Sequence, residues 1–255
     1  NLRQRVRSYS GRDARRTIGP LLREMQQVRH VELADPLSAE IIESRLIARM
    51  LPRYNRAGKR VDKYCFVRLD IDAAWPRLSV VKEPSATGAH LGPLPSRAMA
   101  DLVVEALQSV LALRRCSTRL GANFVAPAGA TPCSSAQLGV SQCPCAGAAD
   151  RASYAAAVDV AHRAMLGDDT LVVTHLTERM HGLAAAQRFE EAALARDRLS
   201  ALVGAIRRSE LVNALRAAGR VVVTRGATTW VIDDARLVDV VIADQAARQL
   251  PADPP

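Results

Sequence analysis

The sequence predicts an α+β protein that contains both helical blocks and small groups of strands. Apolar residues recur every three or four positions over residues 38–50, 98–113 and 152–218, which is the helical period. Residues 64–81 and 221–243 instead alternate or run apolar in short stretches between turn residues, as strands do. Hydrophobic residues make up 49% of the chain but aromatic residues only 4%, so the cores should be aliphatic and rich in alanine.

The first quarter of the chain reads as helix, helix, strand, helix. We expect helices over Leu2–Ser10 and Asp13–Gln27, and a short extended segment over Arg29–Leu33. The third helix should begin at Ser38, a capping residue that follows Pro36, and it should end before Pro52.

The next segment combines a hairpin, a helix and a loop. Residues 64–69 and 77–81 should pair as two strands. Leu91–Ser96 reads as a turn that leads into an amphipathic helix over Ala98–Leu113. Residues 117–150 are rich in Gly, Ala, Pro and Ser, so they should form a loop.

The last part should hold helices and then a three-stranded meander. A helix over Thr170–Met180, then Gly182 and a long amphipathic segment from Leu183, indicate a helical hairpin. After Gly219 the period changes to two, which predicts strands at 221–224, 229–232 and 237–243. Residues 250–255 have the composition of a disordered tail.

Positive charge is concentrated at one end of the chain. The net charge is +9, and up to Lys63 there are 15 Lys and Arg residues against 7 Asp and Glu, an excess of +8. Richness in Arg over Lys could reflect genome composition, but composition does not explain why the excess lies in one quarter. A local basic surface is typical of a module that binds nucleic acid.

Glu43 stands out because it lies on the apolar stripe of the third helix. Steps of three, four and seven residues from it reach Leu46, Ile47 and Met50. We therefore expect Glu43 on a buried face, where a carboxylate needs a partner, a cation or a chemical role. A bound cation is one possibility, and an ion pair with Arg49 or Arg53 at the edge of the core is the other.

Four of the five cysteines fall in the predicted loop region. These are Cys116, Cys133, Cys143 and Cys145, whereas Cys65 stands in an apolar strand and reads as a core residue. No secretion signal opens the chain and no apolar run is long enough for a membrane span, so clustered cysteines favour a metal over disulfides. Four ordinary thiols remain the alternative.

Taken together, four motifs resemble one family in the order of that family. They are Asn1-Leu-Arg-Gln-Arg-Val-Arg-Ser-Tyr9; Glu43 with Pro52-Arg-Tyr-Asn55; His90-Leu-Gly-Pro-Leu-Pro-Ser96 with Leu113-Arg-Arg-Cys-Ser117; and Arg188-Phe-Glu-Glu-Ala-Ala with Arg196-Asp197. This set is similar to the UvrC family of GIY-YIG nucleases, the nuclease component of the excinuclease ABC system, over about residues 1–206. The layout also resembles the UvrC-like half of actinobacterial proteins that fuse an exonuclease to a GIY-YIG region.

The resemblance implies four regions. They are the C-terminal part of a GIY-YIG nuclease domain with its following hairpin (1–87), a helix and cysteine-containing region (88–150), a helical region with a UVR motif at about 183–206 (151–218), and a small meander with its tail (219–255). The strands that carry the Gly-Ile-Tyr and Tyr-Ile-Gly motifs would precede Asn1, so their two tyrosines are not in this sequence. The chain therefore reads as a fragment or a processed product.

The resemblance also implies the catalytic residues. Arg5 would steady the scissile phosphate, Tyr9 would line the site, and Asn55 would hold a phosphate or a neighbouring side chain. Glu43 would bind one Mg²⁺ or Mn²⁺ ion, which would polarise the phosphate and stabilise the leaving oxygen. Further contacts to the DNA backbone would come from the arginines of the same region, namely Arg3, Arg7, Arg12 and Arg53.

Two further sites follow from the resemblance. The four clustered cysteines would bind an iron–sulfur cluster, although Ser141 occupies one of the family's cysteine positions and Cys143 is shifted by two. The UVR hairpin would bind a UvrB-like helicase by helix-on-helix contact, with Phe189, Ala192 and Ala193 mainly in the hairpin core. The candidate partner-binding residues are Phe189, Glu190, Glu191, Arg196 and Asp197.

The function that the sequence predicts is that of a DNA repair endonuclease of the UvrC type, acting in nucleotide excision repair. The intact protein would cut a phosphodiester bond in damaged DNA, whereas this chain alone would be inactive because the two tyrosines are missing. The alternative is a DNA-binding adaptor without catalysis that recruits a UvrB-like partner. We expect a cytoplasmic protein associated with the nucleoid, with no membrane segment.

Overall fold

The computed structural model describes residues 7, 18–28, 30, 33, 35–54 and 64–242. The chain divides into two compact units, one formed by Asp62–Ala218 and the other by Asn1–Val61 with Gly219–Pro255. The helices are α1 (Ile18–Glu24), α2 (Pro36–Met50), α3 (Arg97–Val110), α4 (Ser134–Gln137), α5 (Arg151–Met165), α6 (Thr170–Ala185) and α7 (Phe189–Ala217). The strands are β1 (Cys65–Leu69), β2 (Leu78–Val81), β3 (Ala89–Leu94), β4 (Val221–Arg225), β5 (Thr228–Asp233) and β6 (Arg236–Ile242).

An antiparallel sheet in the order β2-β1-β3 forms the first part of the larger unit. The predicted hairpin is confirmed, with Phe66 opposite Val81 and Leu69 opposite Leu78. Along β1 the side chains of Cys65, Val67 and Leu69 are buried and the two between them are half-buried, as the period of a strand requires. The sheet therefore presents an apolar face for a helix to cover.

The third strand corrects the prediction of a turn at Leu91–Ser96. β3 pairs with β1, and its residues Leu91 and Leu94 are buried. Gly92 is required because a Cβ atom there would lie 2.7 Å from a ring carbon of Phe66. Pro93 is tolerated because β3 is an edge strand.

Helix α3 covers this sheet and confirms the predicted amphipathic helix. Ser96 caps its start by accepting a hydrogen bond from the backbone N–H of Met99 at 3.2 Å. Val103 and Leu107 are fully buried on its apolar face. The helix ends at Val110, and Leu113, which was predicted to be its last residue, is buried in the extended segment that follows.

The predicted loop at 117–150 contains the short helix α4 and one 3-10 turn over Pro144–Ala146. The backbone of Cys143 pairs with that of Ala148 in an isolated bridge, which closes the chain around the turn. The turn therefore sets Cys143 and Cys145 on the same small loop.

Three helices complete the larger unit. Helix α5 is capped by Asp150, whose side chain accepts from the backbone N–H of Ser153 at 2.7 Å. Helices α6 and α7 form the predicted hairpin, but α6 runs through Gly182 and the turn lies at Gln187, which adopts a left-handed conformation with φ of 58°. One hydrophobic core joins the sheet, α3, α5, α6 and α7.

In the smaller unit, helix α2 confirms the predicted third helix, with a different cap. Asp35, and not Ser38, caps it: the Asp35 carboxylate accepts from the backbone N–H and the hydroxyl of Ser38 at 2.9 and 2.6 Å. The helix ends at Met50, two residues before Pro52. Helix α1 ends at Glu24, three residues earlier than predicted.

The C-terminal strands form the predicted meander, in the order β4-β5-β6. Its turns lie at Gly226 and at Asp234-Ala235, where φ values of 60°, 47° and 59° reverse the chain. The fold is therefore α+β, as predicted. In the described part of the chain, no helix is both long and apolar enough to cross a membrane.

Candidate functional site

Most of the predicted nuclease residues lie outside the described part of the chain. These are Arg3, Arg5, Tyr9, Arg12 and Asn55. Their roles therefore stay predictions that follow from the family resemblance. Of the first seventeen residues the structure describes only Arg7, which is helical and exposed.

Arg53, predicted to contact DNA, lies at the end of the segment that follows α2. Its guanidinium lies 3.2 Å from the carboxylate of Glu24, and the hydroxyl of Tyr54 donates to the same carboxylate at 2.5 Å. This hydrogen bond raises the pKa of Tyr54. The Arg53 side chain is 78% exposed, so it can exchange this weak surface pair for a phosphate.

The expectation that Glu43 occupies a buried face is wrong. Its side chain is exposed, as are Leu46 and Met50 on the same stripe. The charged residue that α2 buries is Arg45, which is 6% exposed and donates a hydrogen bond to the backbone carbonyl of Leu237. Glu43 as a metal ligand therefore rests on the family resemblance and not on burial.

The four clustered cysteines are linked by contacts between their thiols. The sulfur atoms of Cys143 and Cys145 lie 3.1 Å apart, without a disulfide bond. The backbone and the thiol of Cys133 contact the sulfur of Cys143, and the thiol of Cys116 contacts that of Cys145. The contacts therefore run in the order Cys133, Cys143, Cys145, Cys116.

This arrangement is a chain of thiols and not a closed cage. In the described part of the structure, no three His, Cys, Asp or Glu side chains converge closely enough to hold a metal ion. Binding of a metal centre would therefore require rotation of the thiols toward one point. Cys143 is buried, Cys116 and Cys145 are half-buried and Cys133 is exposed, so Cys133 has the most freedom to move.

The same contacts shift the pKa values of the two central thiols, Cys143 and Cys145, in opposite directions. Burial opposes ionisation of Cys143, but hydrogen bonds from the backbone of Cys133, the thiols of Cys145 and Cys133 and the backbone of Ala146 together lower its pKa. The hydrogen bond to Cys143 and burial raise the pKa of Cys145 to about 12. Cys143 is therefore the thiol of this pair that ionises first.

Arg114 lies beside this cluster, and the sequence reasoning did not single it out. Its side chain is 6% exposed and donates to the backbone carbonyl of Trp75 at 2.9 Å and to that of Thr118 at 2.7 Å. It also approaches the sulfur of Cys116 at 3.6 Å. The only sequence signal was its place in the motif Leu113-Arg-Arg-Cys-Ser117, where nothing distinguished it from Arg115.

The helical hairpin presents an apolar side chain at its tip. Phe189 begins α7 and is 66% exposed, so its assignment to the hairpin core is wrong. Ala192 is buried, as predicted for the hairpin core. Leu194, five residues further along α7, is also exposed.

The charged residues proposed for partner binding lie in the first nine residues of α7, which begins at Phe189. Glu191 is held by Arg188 at 2.5 Å, and this contact lowers the pKa of the Glu191 carboxyl. Arg196 pairs with its neighbour Asp197 at 2.7 Å, and Glu190 is exposed. An exposed apolar residue flanked in sequence by charged residues has the composition of a protein-binding surface.

Comparison with known proteins identifies the larger unit. The family described as the UvrC/Cho excinuclease middle domain matches residues 64–164, and the UvrB/UvrC motif, UVR, matches residues 170–204. The cysteine cluster and Arg114 lie in the first match, and Phe189 lies in the second. No solved structure matches the chain.

The similar proteins include a bifunctional exonuclease/endonuclease and proteins named UvrABC system protein C. A protein of Mycobacterium tuberculosis named as a bifunctional exonuclease/endonuclease is 34% identical over 218 residues, which are 85% of this chain and 33% of that protein. The UvrABC system protein C of Syntrophus aciditrophicus is 30% identical over 84% of this chain and 34% of that protein. The UvrABC system protein C of Halobacterium salinarum is 31% identical over 80% of this chain and 34% of that protein.

The chain thus spans about a third of the length of these relatives. The order of the motifs within it agrees with the order that the sequence predicted. This protein is therefore UvrC-like: it carries a UvrC middle domain followed by a UVR motif.

Proposed function

We propose that the chain is part of a DNA repair endonuclease of the UvrC type that acts in nucleotide excision repair. The observation that carries the proposal is the joining, in one compact unit, of a UvrC middle domain and a UVR hairpin with an exposed phenylalanine at its tip. The relatives named UvrABC system protein C support the same role. The unit would act as the adaptor of the nuclease.

The proposed partner of the hairpin is a UvrB-like helicase. Because UVR is a motif of both UvrB and UvrC, a second helical hairpin of the same kind fits the apolar tip of this one. Phe189 would be buried at the centre of the interface, and Glu190, Glu191, Arg196 and Asp197 would form its charged rim.

The test is the affinity of the chain for the UvrB-like helicase, measured by calorimetry. Phe189→Ala should weaken binding more than about tenfold, because a central aromatic anchor contributes about 2 kcal/mol or more. The matched control is Leu211→Ala, which removes an equally exposed apolar residue of α7 outside the UVR match; Leu211 is 61% exposed. Equal losses in the two variants would contradict the proposal.

Catalysis in the intact protein would use the N-terminal quarter. Arg5 would bind the non-bridging oxygens of the phosphate, with Tyr9 and Asn55 positioning groups around it. Glu43 would hold one Mg²⁺ or Mn²⁺ ion; a single exposed carboxylate suits an ion that keeps most of its water ligands. The ion would supply charge neutralisation at the leaving oxygen.

The corresponding test uses the intact parent protein and a damaged DNA duplex. Glu43→Ala should abolish metal-dependent nicking and leave DNA affinity nearly unchanged, because the carboxylate would bind the ion and not the DNA. Glu40→Ala is a matched control, since Glu40 is an exposed glutamate on the same helix. Retained nicking by the Glu43 variant would refute the metal-binding role.

The alternative function is a DNA-binding adaptor without catalysis. One observation favours it: every proposed catalytic residue precedes residue 56, whereas the matched UvrC region begins at residue 64. An adaptor would bind the UvrB-like helicase and DNA but would not nick DNA under any metal condition. A nicking assay on the intact protein therefore separates the two functions.

The cysteine cluster is proposed to hold an iron–sulfur cluster. The proposal rests on the family resemblance and on the number of cysteines, since four thiolates can hold a cluster or a tetrahedral zinc ion. The thiols would have to turn toward one point to do so, because in the described part of the chain no three of them converge. Such a cluster would supply a rigid, charged centre to a segment that has little regular structure of its own. Elemental analysis of protein purified without oxygen decides the matter: iron with sulfide supports the cluster, and zinc or metal-free protein contradicts it.

A further inference from the structure

A cavity of about 360 Å³ lies within the larger unit, bounded by α3, by both helices of the hairpin and by the segments that follow α3 and α4. Its charged lining residues are three arginines, Arg115, Arg179 and Arg198, and one acidic residue, Glu105. Three positive charges against one negative charge leave an excess of +2. The other described residues that line it are uncharged, and none of them is aromatic. We call this site the arginine cavity.

Arg198 is the arginine of the cavity whose charge is balanced within the fold. Its Nε and Nη2 atoms donate to one carboxylate oxygen of Glu105 at 3.0 and 2.9 Å, which ties α7 to α3. The Arg198 side chain is 28% exposed, so the pair is partly shielded from water. The carboxylate of the cavity wall is therefore already in use, and it leaves the charges of the other two arginines unbalanced.

Arg115 is held in place but keeps donors to spare. Its Nη2 atom donates to the carbonyl oxygens of Gln108 and Val140 at 3.1 and 3.4 Å. Gln108 lies in the last turn of α3, where the carbonyl oxygens carry partial negative charge, and Arg115 offsets that charge. In the described part of the chain, the Nε and Nη1 atoms of Arg115 have no hydrogen-bond partner.

Arg179, on α6, is exposed and makes no hydrogen bond or ion pair with another described residue. The nearby carboxylate of Glu191 is held by Arg188 at 2.5 Å. That contact is the main reason why the pKa of Glu191 is lowered, and the charge of Arg179 adds to the effect from a greater distance. Arg179 thus brings a full set of guanidinium donors to the cavity.

We propose that the arginine cavity binds a phosphate group of the DNA backbone, with Arg115 and Arg179 donating to the non-bridging oxygens. The inference deepens the proposed function, on which it rests for the choice of DNA, and it adds a contact outside the N-terminal quarter. A bound anion would relieve the repulsion between the arginines, and the planar fork of a guanidinium matches a phosphate.

The uncharged lining favours a phosphate over an acidic protein segment. Gln108 and Ser109 are among the side-chain types that commonly contact the sugar-phosphate backbone. A protein interface would instead be expected to place an aromatic or large apolar anchor in such a pocket. Because backbone contacts do not depend on base sequence, the cavity should contribute equally to binding of any duplex.

The experiment measures binding of a short fluorescent DNA duplex to the full chain by anisotropy at several salt concentrations. The test variant carries Arg115→Gln and Arg179→Gln. The matched control carries Arg119→Gln and Arg207→Gln, which remove the same charge from two exposed arginines of the same unit that do not line the cavity. Circular dichroism checks folding, and if the test variant does not fold, Arg179→Gln alone decides, since Arg179 makes no hydrogen bond in the described part of the chain.

The test variant should bind the duplex about tenfold more weakly than the wild type, because it loses charge-assisted hydrogen bonds to a phosphate. The slope of log affinity against log salt should become shallower by about one, as expected for the loss of one phosphate contact. The control variant should stay close to the wild type in both quantities. The same loss should appear with a second duplex of unrelated sequence.

The other outcomes would overturn the inference in distinguishable ways. If the wild type binds DNA and the two variants are equally affected, the cavity has no specific role and the proposed function stands. If the wild type binds no DNA, the DNA contacts of the proposed function are contradicted as well. If the test variant keeps its DNA affinity but loses affinity for the UvrB-like helicase, the cavity binds protein carboxylates. If it keeps its DNA affinity but loses affinity for inorganic phosphate, the ligand is free phosphate and not DNA.

Discussion

Helices α2 and α3 have similar lengths, 15 and 14 residues, yet they differ in what they bury. In α3, Val103 and Leu107 are fully buried against the sheet and the hairpin of the same unit. In α2, Leu46 is 42% exposed and Met50 is 70% exposed, and the buried residues are Ser38 and Arg45. An apolar stripe therefore becomes a core only where other elements of the fold cover it.

The comparison also separates two kinds of functional residue. In the larger unit, Cys143 and Arg114 are buried, whereas Phe189 is 66% exposed at the start of α7. In α2, the proposed metal ligand Glu43 lies on an exposed surface. The proposed sites thus differ in how far the surrounding fold encloses them: Cys143 and Arg114 are enclosed, whereas Phe189 and Glu43 are open to solvent.

The largest expected difference between the two helices is in stability. Leu107→Ala should lower the free energy of unfolding by about 2–5 kcal/mol, because it leaves a cavity in the core. Met50→Ala should change it by less than about 0.5 kcal/mol, since most of the side chain is already in water. Urea unfolding of both variants measures the difference, and similar values would contradict the assigned burial.

A smaller effect is expected at the buried arginine of α2. Arg45→Met should cost about 1–3 kcal/mol, because the carbonyl of Leu237 loses a donor. The exposed Arg49 on the same helix is the control, and Arg49→Met should change stability by less than about 0.5 kcal/mol. If both variants behave alike in urea, the buried contact contributes nothing and α2 is not anchored through Arg45.

Asp150 should give the smallest effect, one that depends on pH. Hydrogen bonds from the backbone and side chain of Ser153 lower the pKa of its carboxyl below the ordinary 3.8. Its contribution to stability should be complete above pH 3.8 and should disappear as the pH falls through the lower, folded value. Melting temperatures of the wild type and Asp150→Asn should therefore differ at neutral pH and converge in acid. A difference that does not change with pH would contradict the cap.

Much of the fold could be predicted from local signals. The period of the apolar residues placed α2, α3, the helical hairpin and the meander, because these elements express their pattern within a single segment. Strand β3 was missed because Gly92, Pro93 and Pro95 are turn residues by local preference. Its pairing with β1 and the burial of Leu91 and Leu94 override that preference, and no local pattern reports a partner strand that lies well back along the chain.

Less of the functional sites could be predicted, because contacts between distant parts of the chain decide which side chains are buried there. The cysteines could be grouped by their spacing, and their contacts support that grouping. The choice between Glu43 and Arg45 as the buried charge of α2 could not be made, because it depends on a carbonyl at Leu237, far along the chain. Arg114 and Arg115 are likewise adjacent and identical in sequence, and only tertiary contacts distinguish the buried one from the exposed one.

The central claim is that the UVR hairpin binds the partner while the N-terminal quarter serves the chemistry. It is tested most directly by titrating a UvrB-like helicase into two variants of the same chain, Phe189→Ala and Glu43→Ala. We predict that Phe189→Ala binds more than about tenfold more weakly than the wild type and that Glu43→Ala binds as tightly as the wild type. Equal weakening by the two substitutions, or full affinity of Phe189→Ala, would contradict the account.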